Sequence, residues 1–300
     1  MFDRILVLGA GGQVGSELMR SLAPLARVIE GWDRRRCALD DVQAALDQVA
    51  AFGADVIVNA AAYTAVDRAE TDQDAAFRLN AEWPGRLAEL AAATGALFVH
   101  YSTDYVYDGR QSSPYVESDE PAPQSVYGAS KAQGDARVAR AGGRHLILRT
   151  SWVYGARGGN FLKTMMKVLR EREGVRVVGD QFGSPTGADL IADVTALVLR
   201  QIGSDPSASP WGVYHLTASG TCSWFDYAHY VAGLCETAGV PLATTRASLQ
   251  RITAQEYPLP AVRPANSHLD TTKLQTTFDL HLPAWQAGVA RTFTLLTQNT

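Results

Sequence analysis

The sequence predicts a doubly wound α/β fold around a mostly parallel sheet, and three observations predict it. Short β-branched runs alternate with Ala- and Leu-rich helical stretches through the first half. A glycine cluster, Gly9-Ala-Gly-Gly12-Gln-Val-Gly15, sits where the first strand gives way to the first helix. The 300 residues suffice for one large core, or for such a sheet followed by a smaller C-terminal α/β part.

The elements follow in order. Residues 4–8 read as a buried strand, 13–22 as a helix stopped before Pro24, and 27–30 as a second strand. Residues 40–51 are helical, with Val42, Ala45, Leu46 and Val49 recurring on one face. A third strand spans 55–59, one long helix 71–93, and a fourth strand 97–101. The Pro-rich segment 108–124 reads as a loop, 125–141 as a helix and 144–149 as a fifth strand. Right-handed crossovers then wind the sheet on both faces. The second half is less regular. Helices are expected over 161–171, 188–201, 223–238 and 283–297, strands over 175–178 and 213–216, and a Ser- and Pro-rich loop over 204–210. Pro258, Pro260 and Pro264 mark an extended stretch lying across a surface or cleft. No internal repeat or low-complexity tract is evident.

Composition narrows the function classes. Hydrophobic residues make up 46% and charged residues 19%, ordinary for an enzyme. Net charge is -4, with a pI near 5.9. A general nucleic-acid or anionic-membrane binder would be basic, so neither partner is expected. No apolar run approaches the roughly 20 residues of a membrane helix. The chain runs from Met1 straight into a strand, so no secretory leader is expected. Cys37, Cys222 and Cys235 form no C-x-x-C, which disfavours disulfides and zinc and suits a reducing cytoplasm. The six histidines show no metal spacing, so no metal site is expected.

The glycine loop has the spacing G-x-x-G-x-x-G, a variant of the dinucleotide fingerprint. Gly9 allows a sharp turn, Gly12 lets backbone approach a pyrophosphate, and Gly15 lets helix pack on strand. Free N–H groups and the helix dipole then favour the anion. Residues 1–150 are therefore expected to be a Rossmann-like dinucleotide-binding core. Residues 151–300 would mainly bind substrate, with about 188–216 returning to the core. After the second strand, Asp33 suits ribose hydroxyls, whereas Arg34, Arg35 and Arg36 suit a 2′-phosphate. NADPH is the expected cofactor, with NADH also admitted by Asp33. Ala62, Tyr63 and Thr64 follow the third strand, where small residues let a nucleotide lie close or simply let a helix pack.

Tyr127 and Lys131 share one helix face at i, i+4. The lysine is expected to lower the phenol's pKa from about 10 toward neutrality, for proton transfer to a carbonyl as hydride reaches carbon. The pair alone is a common pattern. Thr103 adds weight, because a hydroxyl at a strand's carboxyl end sits at the crevice where open α/β sheets bind ligands. A turn or helix cap is the plainer role for Thr103 and Asp104.

Longer motifs carry a resemblance. Residues 59–67 (NAAAYTAVD), 101–107 (YSTDYVY), 126–131 (VYGASK), 149–154 (RTSWVY), 159–161 (GNF), 180–187 (DQFGSPTG) and 263–270 (RPANSHLD) are similar to dTDP-4-dehydrorhamnose reductases. These belong to the extended short-chain dehydrogenase/reductases. The resemblance covers almost the whole chain. It implies NAD(P)H-dependent reduction of the C4 keto group of dTDP-4-dehydro-L-rhamnose, the last step to dTDP-L-rhamnose. By motif, Tyr127 is the proton donor, Lys131 positions the cofactor and tunes Tyr127, and Thr103 supports that tuning; Tyr127 and Lys131 also match cofactor positions. Gly12, Gln13, Val14, Asp33, Leu39, Ala62, Tyr63, Thr64 and Tyr101 match cofactor positions, and Thr103, Asp104 and Trp152 match positions at the sugar. Asn160, Gln181, Arg263 and Asn266 are further substrate-side candidates, with Arg263 suited to a phosphate. Some members hold magnesium at a dimer interface. The corresponding positions here are Glu17, Asp189 and Leu295, and Leu295 cannot ligate a hard cation. Neither magnesium nor a metal-bridged dimer is expected, leaving a monomer or weak homodimer. Other nucleotide-sugar reductases, epimerases or a non-catalytic regulatory subunit are the alternatives. Tyr105, after Thr103-Asp104, argues against a glutamate-dependent dehydratase.

Overall fold

The computed structural model describes residues 1–37, 41–205 and 210–298. Strands β1 (Phe2–Leu8), β2 (Ala26–Trp32), β3 (Val56–Asn59), β4 (Leu97–Thr103), β5 (His145–Thr150) and β6 (Gly212–His215) make one sheet. Their order is β6-β5-β4-β3-β1-β2, and every pairing is parallel. The chain steps outward from β1 to β2, then crosses back to β3. That reversal opens a crevice beyond the carboxyl ends of β1 and β3.

Helices cover both faces. On one side α1 (Gln13–Ser21) and α6 (Ala188–Ser204) contribute Leu18, Ile191, Val198 and Leu199 against Ile5, Val7, Val58 and Val99. On the other, α2 (Val42–Phe52) and α3 (Trp83–Thr94) pack Leu46, Val49, Trp83 and Leu87 on Leu6, Leu8 and Ile57. α4 (Val126–Arg140) adds Val138 to this face. Alternate residues of the strands thus feed different cores, as period-2 geometry requires. A separate core joins α5 (Phe161–Glu171), α7 (Trp224–Thr237) and α8 (Trp285–Gln298) through Leu162, Leu169, Tyr227, Val231, Val289 and Phe293. Among the described residues, no helix is long and apolar enough to cross a membrane.

The long helix expected over 71–93 is interrupted. Gln73–Phe77 is α-helical, Arg78–Glu82 forms a π-turn, and α3 follows. Pro84 supplies the physical reason. It has no N–H for the carbonyl of Asn80, and its ring would clash with that carbonyl in an α-turn. The widened turn buries Asn80 completely. Its amide accepts from Tyr63 N (2.8 Å) and donates to Tyr63 O and Ser130 Oγ (both 3.0 Å). One side chain therefore ties the loop after β3 to α4. A short helix at Thr272–Phe278 was not expected from the sequence.

Candidate active site

The glycine loop shows why each glycine is needed. Gly9 has φ +79°, and a Cβ there would lie 2.6 Å from Ala61 N. A Cβ on Gly15 would lie 2.1 Å from Gly9 O. Gly12 starts α1 with no side chain to satisfy the first-turn N–H groups. Gln13 and Val14 follow it in that turn. Such an uncapped helix start is a ready anion site. Gly9, Gly11 and Gly12 open onto a cleft of about 650 Å³ shared with Asp33, Arg34 and Ala62. The Asp33 carboxylate accepts from Arg35 N (2.9 Å), fixing the turn that presents Arg34 and Arg35. Arg36 turns away to Glu30 (2.8 Å) and lies over Trp32. These residues fit the adenosine and diphosphate of a dinucleotide, with two arginines for a 2′-phosphate. Leu39 lies outside the described residues.

Two cofactor-side residues are otherwise engaged. Tyr101 points into the core, where its hydroxyl bonds Thr195 Oγ1 (2.8 Å). Only its carbonyl turns toward the site, accepting from Lys131 Nζ (2.5 Å). Tyr63 has its backbone held by Asn80, and its hydroxyl donates to Asp72 (3.0 Å). Thr64 beside it is exposed.

Tyr127, Lys131 and Thr103 converge where β4 ends and α4 begins. Ser125 caps α4 by accepting from Gly128 N, and Glu70 accepts from Val126 N (2.9 Å), so the helix start is pinned twice. The ring of Tyr105 meets that of Tyr127 edge-on at 5.5 Å. The expected lowering of the Tyr127 pKa is not found. Burial pushes the phenol up to about 12, Asp104 and Asp135 push the same way, and the Thr103 hydroxyl opposes them. Lys131 does not offset this, because its ammonium is directed at Tyr101 O and His100 Nε2 (3.3 Å). Burial lowers Lys131 itself to about 8, against the charge of Asp135. Asp104 is buried, accepts from Thr103 Oγ1 (3.0 Å), and is raised by burial to about 6. Among the described residues, the buried hydroxyls of Ser102 and Thr150 have no hydrogen-bond partner.

A second cleft, about 810 Å³, is walled by Tyr105, Phe161, Gln181, Trp224, Tyr257 and Arg263. Trp152 adopts a left-handed backbone (φ 47°) and stacks on Trp224 at 3.4 Å. Gly183 is its other neighbour, since a Cβ there would meet the indole at 2.5 Å. Three substrate-side candidates are held by the protein itself. Asn160 caps α5 and donates to Gln13 Oε1 and Gly155 O (both 2.8 Å), so it braces the glycine loop. Asn266 donates to Gln111 O and Ser113 O (both 2.9 Å), closing a loop. Arg263 grips both oxygens of Asp67 at 2.6 Å, which holds that carboxyl below the usual range. The guanidinium is thus not free for a phosphate as expected. It latches the 257–263 segment over the cleft, and Arg263→Ala is expected to raise KM for a nucleotide sugar about tenfold with kcat within about twofold. Steady-state kinetics of the variant checks this.

Sequence reading missed Trp224, Phe161, Tyr105 and His100. For Trp224 the signal was an aromatic at the first position of an amphipathic helix, and Phe161 also closes the 159–161 motif. For His100 it was a polar residue inside an apolar strand.

A family profile described as the RmlD substrate binding domain matches residues 3–298. The chain is 44% identical over 290 residues to dTDP-4-dehydrorhamnose reductase of Escherichia coli (strain K12), covering 96% of each. It is 46% identical over 290 residues to the same-named protein of Burkholderia thailandensis, covering 95% of this chain and 96% of that one. Among solved structures, dTDP-4-dehydrorhamnose reductase from Bacillus anthracis in complex with NADP superposes with a TM-score of 0.86. It is 32% identical and covers 98% of this chain and 100% of that one. This chain belongs to the dTDP-4-dehydrorhamnose reductase family.

Proposed function

We propose that this chain reduces the C4 keto group of dTDP-4-dehydro-β-L-rhamnose, giving dTDP-β-L-rhamnose, with NADPH as the reductant. The observation that carries the reading is one of placement. Tyr127 and Thr103 meet at the carboxyl end of β4, and Tyr105, whose ring meets that of Tyr127 edge-on, walls the aromatic cleft of Phe161 and Trp224. When bound, the cofactor supplies the hydride that C4 receives. Thr103 holds the C4 oxygen, and Tyr127 delivers its phenolic proton there, so the carbonyl becomes a hydroxyl. Lys131 would hold the nicotinamide ribose of the cofactor. Gly12, Gln13, Val14 and Arg34 hold the cofactor. Trp152 and Trp224 give the deoxysugar a flat apolar wall, Gln181 borders the diphosphate, and Arg263 holds the 257–263 segment over the cleft through Asp67.

Residues 1–150 serve the cofactor in this reading, and 151–300 mainly the sugar nucleotide, with 188–216 returned to the sheet. Glu17 pairs with Arg20 (3.0 Å) and Asp189 with Arg291, while Leu295 brings no oxygen donor. These pairings support a monomer or weak homodimer without bridging magnesium. Free thiols at Cys37, Cys222 and Cys235 support a cytoplasmic location.

The test is NADPH oxidation with dTDP-4-dehydro-L-rhamnose, followed by NMR of the product. One NADPH consumed per dTDP-L-rhamnose formed is expected. A talose-configured product, or turnover without net NADPH loss, overturns the reading.

A further inference from the structure

His100 has no part in the reading above, yet it is fully buried at the heart of the site. Alternation along β4 puts it on the face of α4, with its ring parallel to that of Phe98 (6.2 Å, 8°). Both ring nitrogens are engaged. Nε2 lies 3.3 Å from Lys131 Nζ, and Nδ1 lies 3.2 Å from the side-chain amide of Asn59. Asn59 and His100 are register partners in β3 and β4.

A neutral imidazole offers one donor and one acceptor. As an ammonium, Lys131 donates to Nε2, so Nδ1 carries the proton and needs an acceptor. Asn59 Oδ1 is buried and has no partner. A half-turn of the amide brings it to Nδ1 and leaves no buried acceptor orphaned. As an amine, Lys131 accepts from Nε2–H, and Asn59 donates to Nδ1. Three side chains thus hold one hydrogen-bond pattern for each charge state of Lys131, and the charge-assisted bond of the ammonium is the stronger. The other groups facing Lys131 are Asp135, one turn on in α4, and Tyr127, one turn back. Asp135 is itself paired with Arg149 of β5. Burial and the Lys131 charge both hold His100 well below the usual histidine range, so the imidazole stays neutral.

We propose that His100, backed by Asn59, is a positioning residue: it fixes the Lys131 ammonium at the carboxyl end of β4 and, by accepting its hydrogen bond, keeps Lys131 charged at working pH. A hydrogen bond to the charged form favours that form. Its catalytic consequence rests on the reductase reading above, but its effect on Lys131 does not.

The test compares wild type, His100→Phe and His100→Gln. NADPH affinity is followed by cofactor fluorescence, and kcat by NADPH oxidation, both across pH 6–10. Phenylalanine keeps the ring over Phe98 and removes the acceptor, whereas glutamine restores one. In His100→Phe the alkaline fall in both quantities is expected about one pH unit lower than in wild type, the shift that one hydrogen bond to a charged group gives. His100→Gln is expected to recover most of it. A structural role alone would lower the melting temperature without moving that limb. Coincident pH profiles for wild type and His100→Phe overturn the proposal. Should His100→Phe not fold, Asn59→Leu carries the same test, with a smaller shift in the same direction expected, and an unmoved limb there is equally fatal. If wild type binds NADPH but reduces no keto sugar, the reductase reading fails while the binding arm still decides the role of His100.

Discussion

Replacing Tyr127 by phenylalanine is expected to lower kcat about 10²–10⁴-fold, the usual reach of a positioned general acid. NADPH affinity is expected to stay within about threefold, because the phenylalanine ring keeps the edge-on contact with Tyr105. The sign of the Tyr127 shift matters here. A phenol near 12 is protonated throughout the neutral range, so the group is a ready proton donor and a poor base. Reduction is then expected to hold its rate from neutral pH up to the titration of Lys131, near 8, and to fall above it. The reverse reaction needs the phenolate and should strengthen as pH rises. Stopped-flow measurement of the hydride step in both directions checks this. A Tyr127→Phe enzyme with unchanged single-turnover rate would take Tyr127 out of its assigned role.

The parts legible in the sequence were those fixed over short spans. The glycine loop, the Tyr127–Lys131 spacing and the β-branched strands each need only a turn or a strand to define them. The parts that were not legible depend on groups far apart in the chain. Arg263 meets Asp67 across 196 positions, and nothing local distinguishes that arginine from a phosphate ligand. Asn160 and Asn266 looked like substrate contacts by motif, but their amides serve as a cap and a loop tie. Tyr101 could have been placed by alternation, since residues 99 and 101 share the face packed on α6. The π-turn needed Pro84 to be weighed against its own i−4 carbonyl, whereas apolar spacing alone favours an unbroken helix. The missed 272–278 helix buries only Leu274 and Phe278. The Tyr127 pKa follows from burial and from where the Lys131 ammonium points, and the i, i+4 spacing carries neither.

Asp135 supplies the other large effect, this time on stability. It sits one turn beyond Lys131 on α4 and pairs with Arg149 at 3.0 Å, each side chain 5% exposed. Arg149 also donates to Tyr107 Oη (2.7 Å), which lies 2.8 Å from His215 Nε2. Removing Asp135 leaves this cation buried without a counter-charge, and Asp135→Ala is expected to cost about 3–5 kcal/mol. For a chain of this length that is a drop of about 5–8 °C in Tm, read by calorimetry. Asp135→Asn keeps an acceptor but no charge and should fall between. The double variant Asp135→Leu/Arg149→Met removes both charges and fills the space, so it is expected to recover most of the stability. It should not recover function at alkaline pH. The Asp135 carboxylate is also what holds Lys131 up against burial, so its loss lets Lys131 discharge at lower pH in the single and double variants alike. Stability that returns while the alkaline limb stays displaced would separate the two duties of Asp135. A double variant with the wild-type pH profile would show that the carboxylate serves the fold alone.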